Sequence, residues 1–341
     1  MCGIFGYTGK RSAPPIILTA LKDLEYRGYD SSGIAVADKE HPLTVARKKG
    51  NLSELVSYIK KKPLPGATTG IGHTRWATHG IPSDSNAHPH QGYAGSVVIA
   101  HNGIVQNHNL LRGELQSRGR PITSETDSEL IAHLIEECLE GGFSLLDAVT
   151  HTARLLEGSQ SFVAMSTYEP GVIIGSRLGN AGGLVVGFQK DEVMISSDVV
   201  ALLPHTQKVA YLANRQIVQL DQDGVTAFTL DGDSVELETS VLALNVESVH
   251  RGQYKHLMMK EIMDQPEALL ATIQSLVSVD PCSLNLTGIE PIESLLANIK
   301  HVVFIGMGTS FHAALIGQSY VEEVSGLSTD VINASEFLNR P

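Results

Sequence analysis

Cys2 stands directly behind Met1 at the start of the chain. A small residue in this place is the setting in which an initiator methionine is trimmed, and trimming leaves a thiol and a free α-amine on one residue. An α-amine titrates near ~7.7–8.0 and a thiol near ~8.5, so at neutral pH the amine is partly unprotonated and basic enough to take the thiol's proton, directly or through one water. Such a nucleophile needs no histidine. In Cys2-Gly3-Ile4-Phe5-Gly6 the glycines would let a substrate approach the backbone closely, and a buried strand there would immobilise the amine.

His73, His79, His88, His90 and His101 invite a different chemistry, since imidazoles close in sequence can ligate zinc. The pattern argues against it. There is no HExxH, and the three cysteines, Cys2, Cys138 and Cys282, form neither a CxxC clamp nor a disulfide framework. A catalytic zinc would also leave Cys2 without a purpose. Chelator insensitivity together with sensitivity to thiol alkylation separates the two chemistries.

Five further segments follow in order: Tyr26-Arg27-Gly28-Tyr29-Asp30-Ser31, His73-Thr74-Arg75-Trp76-Ala77-Thr78-His79-Gly80, Asn86-Ala87-His88-Pro89-His90, His101-Asn102-Gly103 and Thr123-Ser124-Glu125-Thr126-Asp127. Together with the N-terminus they resemble the glutamine-hydrolysing domain of the N-terminal-nucleophile amidotransferases, and within these the glucosamine-6-phosphate synthase family. Residues 254–266, with Met259-Lys260-Glu261-Ile262 at their centre, and the turn Gly308-Thr309-Ser310 resemble the opening of that family's sugar isomerase domain. The resemblance covers essentially the whole chain.

The resemblance implies an α+β fold, a four-layer αββα N-terminal-nucleophile hydrolase sandwich over residues 2–242. A linker at 243–254 and an incomplete, truncated α/β sugar isomerase domain at 255–341 would follow. It implies Cys2 as the nucleophile, with the Asn102 side chain and the Gly103 N–H as the oxyanion hole. Glutamine is a zwitterion with a neutral side chain, so a selective pocket needs a cation for its carboxylate and an anion for its ammonium; Arg75 and Asp127 fit these parts, Arg because its fork can grip a carboxylate at two points. By the same resemblance Thr78 and His79 touch the substrate through their backbone, Trp76 sits on a mobile loop that closes the pocket and gates ammonia, and Arg27 orients the chain terminus. Thr309 and Ser310 are implied as the sugar-phosphate contacts. No metal and no organic cofactor is implied; a homodimer is.

The elements that must position these groups are only partly visible in the pattern. Residues 2–7 read as a buried strand and 14–24 as a helix. Thr126-Asp127 reads as the start of a helix with apolar positions at Leu130, Ile131, Leu134, Ile135 and Cys138, stopped by Gly141-Gly142, and a second helix follows through Leu155. From 161 to 237 come short β-rich runs, with Asp223-Gly224 and Asp231-Gly232 as hairpin turns. Residues 255–277 read as a helix broken or kinked near Pro266, and 291–299 as another. An apolar strand at 301–305 then runs into Gly306-Met307-Gly308-Thr309-Ser310, a helix at 311–321 and a strand at 330–332. Backbone N–H groups and hydroxyls at such a turn can hold a phosphate. The spacing is neither GxGxxG nor GxxxxGK[ST], so nucleotide binding is unsupported.

Composition narrows the classes. With 341 residues, 42% hydrophobic and 18% charged, the chain is globular and long enough for two domains. Lys+Arg 25 against Asp+Glu 37 gives a net charge of 25 − 37 = −12, which lacks the basic field a nucleic acid partner would need. No stretch reaches the roughly 18 apolar residues of a membrane span, and the first residues do not read as a signal peptide. The expected location is the cytoplasm. Two rival functions remain: the glutaminase domain of another pathway's amidotransferase, and a non-catalytic sugar-phosphate sensor.

Overall fold

The computed structural model describes residues 2–180, 182–242, 254–279, 282–284 and 293–337, in two compact units, Met1–Gly252 and Gln253–Pro341. In the first unit, chain order runs β1 (Gly3–Gly9), α1 (Ala13–Leu24), β2 (Ser31–Ala37), β3 (Thr44–Lys49), α2 (Leu52–Lys61), β4 (Thr69–Arg75), β5 (His90–Gln91) and β6 (Val97–Gly103). Helices α3 (His108–Ser117), α4 (Ser128–Glu140) and α5 (Leu145–Leu155) come next. The rest is β: β7 (Gln160–Ser166), β8 (Ile173–Leu178), β9 (Val185–Gln189), β10 (Glu192–Ser196), β11 (Lys208–Tyr211), β12 (Gln216–Asp221), β13 (Gly224–Thr229), β14 (Ser234–Val235) and β15 (Thr239–Val241).

These strands make two antiparallel sheets, ordered β15-β11-β9-β10-β1-β4-β2-β3 and β14-β13-β12-β8-β7-β6-β5. Three cores bind four layers. Ile4, Ile71, Val98, Val163, Ile195 and Val218 fill the space between the sheets. Phe5, Tyr7, Ile17, Leu21, Ile34 and Leu55 seal α1 and α2 onto the first sheet, and Ile99, Leu115, Leu130, Ile135, Val149 and Phe162 seal α3, α4 and α5 onto the second. This is the αββα sandwich. Alternation explains it: along β1, Ile4 points between the sheets while Phe5 and Tyr7 point at α1, so a strand buried on both faces reads as one apolar run.

The strongly patterned elements fall where the sequence puts them. Helix α1 starts with Pro14 in its first turn, and α5 is capped by Ser144, whose side chain accepts from the Asp147 N–H. Helix α4 ends at Gly141 as expected. The Asp223-Gly224 turn is displaced by one residue, because Gly224 already pairs with Asp221 across the hairpin.

The second unit contains a 20-residue helix, α6 (Leu257–Leu276), that runs through Pro266 without the predicted break. A short hairpin not read from the sequence follows, β16 (Val277–Val279) with β17 (Cys282–Leu284), then a single turn, α7 (Glu293–Leu296). Strand β18 (His301–Gly306) leads through the glycine turn into α8 (Thr309–Ser325) and β19 (Ser328–Asn333), which pairs with β18 in parallel. Helix α9 (Ala334–Phe337) comes last. Most of the predicted linker, at 243–253, and the start of the predicted 291–299 helix lie outside the described residues. Among the described residues, no helix is long and apolar enough to cross a membrane.

Candidate active site

Strand β1 lies between β4 and β10, and its register sets Gly3 opposite Thr74. Cys2 is thereby delivered to the end of β4. Its Sγ donates to the Trp76 carbonyl oxygen at 3.4 Å and accepts from the Trp76 N–H at 3.2 Å. Burial pushes the thiol pKa up, against the Trp76 N–H and the charges of Arg75 and Arg27, which pull it down. A thiol held above its ordinary range is protonated at neutral pH and needs a base to become a nucleophile. The Cys2 carbonyl oxygen is gripped from two sides, by Arg27 Nε at 3.0 Å and by Asn102 Nδ2 at 3.1 Å.

The segment 26–31 acts as a backing plate. Arg27 is anchored by Asp198 at 2.5 Å, which also accepts from the Tyr26 hydroxyl. Gly28 packs flat on the end of β4, where an added Cβ would stand 2.5 Å from the Arg75 carbonyl carbon and 2.7 Å from the Trp76 nitrogen. Asp30 accepts from the Ala77 N–H at 2.8 Å, and its own N–H donates to the Arg75 carbonyl. Residues 75–77 are fixed from behind, leaving their front to Cys2.

Asn102 and Gly103 close β6 rather than forming a turn, which their composition alone would favour. Gly103 has φ +135°, and a Cβ there would meet the Ser159 carbonyl oxygen at 2.4 Å, so only glycine fits. Arg75 is buried; its Nη2 donates to the carbonyl oxygens of His79 and Gly80, while Nη1 is buried with no partner. An unpartnered buried guanidinium nitrogen is a costly arrangement that an anionic group would relieve. Nη1 is thus open to a ligand, whereas Nη2 already serves the backbone.

Asp127 occupies the N-cap position of α4 without capping it. Its Oδ2 accepts from the Val105 N–H at 2.7 Å, and it lines the same cleft. Glu129 holds the preceding loop by accepting from the Thr123 N–H and hydroxyl and the Ser124 N–H; burial raises its carboxyl pKa, but the contact with His133 Nε2 at 3.3 Å, followed by these hydrogen bonds, keeps it well below the usual carboxylate range.

One cleft of about 560 Å³ collects Cys2, Arg27, Arg75, Trp76, Thr78, His79, Asn102, Gly103 and Asp127. Trp76 is not a core aromatic: it is 45% exposed and meets Tyr29 edge-on at 5.5 Å. Gln106, Ser159 and Asn180 also line the cleft and carried no signal in the sequence. Thr309 and Ser310 belong to the second unit, exposed at the first turn of α8.

The histidines sort into two groups. His73 stacks on His88 with ring centroids 4.2 Å apart, His88 meets His90 edge-on at 4.5 Å, and His101 completes a buried set. Burial lowers all four; His73 falls to about 3. His79 stands apart, against His108. The rings meet face to face or edge to face, and among the described residues no group of three His, Cys, Asp or Glu side chains is arranged to hold a metal.

Comparison with known proteins adds the following. The family described as "Glutamine amidotransferase domain" matches residues 73–204, and "SIS domain" matches 295–341. The chain is 41% identical to a glutamine--fructose-6-phosphate aminotransferase [isomerizing] of Aquifex aeolicus over 99% of its own length and 54% of the relative's. The amidotransferase model thus covers residues 73–204, and this relative matches the chain across nearly its whole length. A Vibrio parahaemolyticus protein of the same name is 40% identical over 100% of this chain and 55% of its own length. The chain thus spans about half the length of the curated relatives it matches. Among solved structures, that of the allosteric regulatory enzyme of purine biosynthesis shares the fold, with TM-score 0.59, 22% identity and coverage of 97% of this chain and 65% of the other. The glutamine phosphoribosylpyrophosphate amidotransferase of B. subtilis does likewise, with TM-score 0.58, 21% identity and the same coverage.

Proposed function

We propose that this chain hydrolyses the side-chain amide of glutamine. The observation that carries the reading is that one cleft holds a thiol, an amide N–H donor beside it, and a buried guanidinium nitrogen without a partner. Once Met1 is removed, the α-amine of Cys2 takes the thiol's proton, and the thiolate attacks the amide carbon. Asn102 Nδ2 and the Gly103 N–H stabilise the oxyanion; the C–N bond breaks, ammonia leaves with the proton, and water releases glutamate from the thioester. Arg75 Nη1 takes the substrate carboxylate and Asp127 its ammonium. Thr78 and His79 contact the substrate through their backbone, Trp76 gates ammonia, and Arg27 orients the terminus.

The domains of this reading are 2–242 for glutamine hydrolysis and 255–341 for part of a sugar isomerase unit. The relatives' names support ammonia transfer to fructose 6-phosphate; on the family resemblance the product is glucosamine 6-phosphate, with Thr309 and Ser310 on the sugar phosphate. That transfer is proposed for the longer form typified by the relatives, as a cytoplasmic homodimer. The test is glutamate release from glutamine by purified chain whose intact mass shows Met1 removed. Cys2→Ala should abolish release; persistence of activity would overturn the reading.

A further inference from the structure

The buried imidazoles are the chemistry-bearing side chains that the proposed reaction leaves unused. One of them touches the oxyanion machinery. His73 Nε2 lies 3.1 Å from the His101 carbonyl oxygen and 3.1 Å from Asn102 Oδ1. We infer that His73 is a positioning residue, whose Nε2–H fixes which end of the Asn102 amide faces Cys2. The inference rests on the oxyanion role proposed above for Asn102.

The assignment follows from two backbone carbonyls. A carbonyl oxygen can only accept, so the His101 contact requires the proton of His73 to sit on Nε2. That proton then faces Asn102, whose nearer atom must be the oxygen. At the other end of the amide the Cys2 carbonyl also accepts only, so the atom facing it must be the nitrogen, 3.1 Å away. Turning the amide over would set donor against donor at His73 and acceptor against acceptor at Cys2. Both ends agree on one orientation.

The two contacts differ in what happens during turnover. When an oxyanion forms beside Cys2, one N–H of Asn102 Nδ2 must serve it, which leaves the other for the Cys2 carbonyl, so the donor end is where the contacts change. His73 remains as the hold on Asn102 that the reaction does not disturb. The surroundings keep it neutral and aligned: His88 covers one face of the ring at 4.2 Å, and burial holds the pKa at about 3. His88, His90 and His101 are themselves lowered by burial, so the neighbouring rings are neutral as well. The sequence motif His73-Thr74-Arg75 thus carries two parts on one face of β4, since alternate residues share a face: Arg75 for the substrate and His73 for the donor that serves its amide.

A double-mutant cycle on the full chain, read as glutamate release, tests this. His73→Phe should lower kcat about 10–100-fold, a part of the 10²–10³ that a whole oxyanion donor supplies, with KM for glutamine changed less than about twofold. In an Asn102→Ala background the same substitution should change kcat less than about twofold, which damage to the fold in general would not produce. His73→Gln, which keeps a donor, should return kcat to within about fivefold of the parent. Should His73→Phe fail to fold by thermal unfolding, His73→Met replaces it in the cycle. Equal losses in both backgrounds, a rise in KM alone, or no recovery in a folded His73→Gln would each overturn the inference. Full activity of Cys2→Ala would instead overturn the functional reading itself.

Discussion

The cleft around Cys2 and the turn at Gly306–Ser310 are both places where a backbone ends a strand and presents donors, yet they are built differently. In the cleft, β1, β4, β6, the 26–31 segment and the start of α4 each fix part of the constellation, and its key polar atoms are buried. At the turn, among the described residues, β18, its partner β19 and α8 define the geometry, and Met307, Thr309 and Ser310 are exposed. The difference is one of support: on the proposed reading the cleft is a preorganised reaction site held by many elements, whereas the turn is held by few.

Substitutions on the two sides should therefore differ in scale. Asn102→Ala should lower kcat for glutamate release by about 10²–10³, measured at saturating glutamine. Gly28→Ala presses a Cβ onto the Arg75–Trp76 backbone and should cost about 1–3 kcal/mol of stability in denaturant titrations, with a matching loss of activity, although Gly28 touches no substrate. Acid should come next. A histidine whose folded pKa is depressed binds its proton in the unfolded chain first, so its contribution is intact above about 6.5 and lost as pH falls toward about 3, the His73 value. Each of the four buried imidazoles then removes up to about 1.4 kcal/mol per pH unit, and thermal unfolding midpoints should fall steeply below about pH 6. A shallow acid limb would break the contrast. Smallest of all, Thr309→Ala with Ser310→Ala should leave glutamate release within about twofold.

The sandwich was legible in the sequence where both faces of an element are apolar. Strand β1 and helices α1, α4 and α5 carry enough large side chains to declare their period. Strand β4 does not: in Thr69-Gly70-Ile71-Gly72-His73-Thr74-Arg75 only Ile71 is large and apolar, and the strand exists because β1 and β2 pair with it on either side. Helix α3, with only Leu111 and Leu115 buried, was equally silent. The cleft residues were legible only through the ordered motifs that carry the family resemblance; by type alone Asn102-Gly103 reads as a turn and Arg75 and Asp127 as surface charges. The part of His73 was not, because it depends on which ring nitrogen meets which carbonyl, and residue identity carries no such direction.

The first strand made is among the last that can be placed. β1 pairs with β4 on one side but on the other with β10, and the Ile4 N–H reaches Ser197 across 193 positions of chain. On the ribosome, an apolar ribbon that follows Cys2 must therefore wait, with one edge open, until the residues near 196 have emerged. Such long-range closure is slow and exposes a sticky edge to other chains. Yield on expression should consequently respond to synthesis rate and to helper proteins more than the stability of the finished sandwich would suggest.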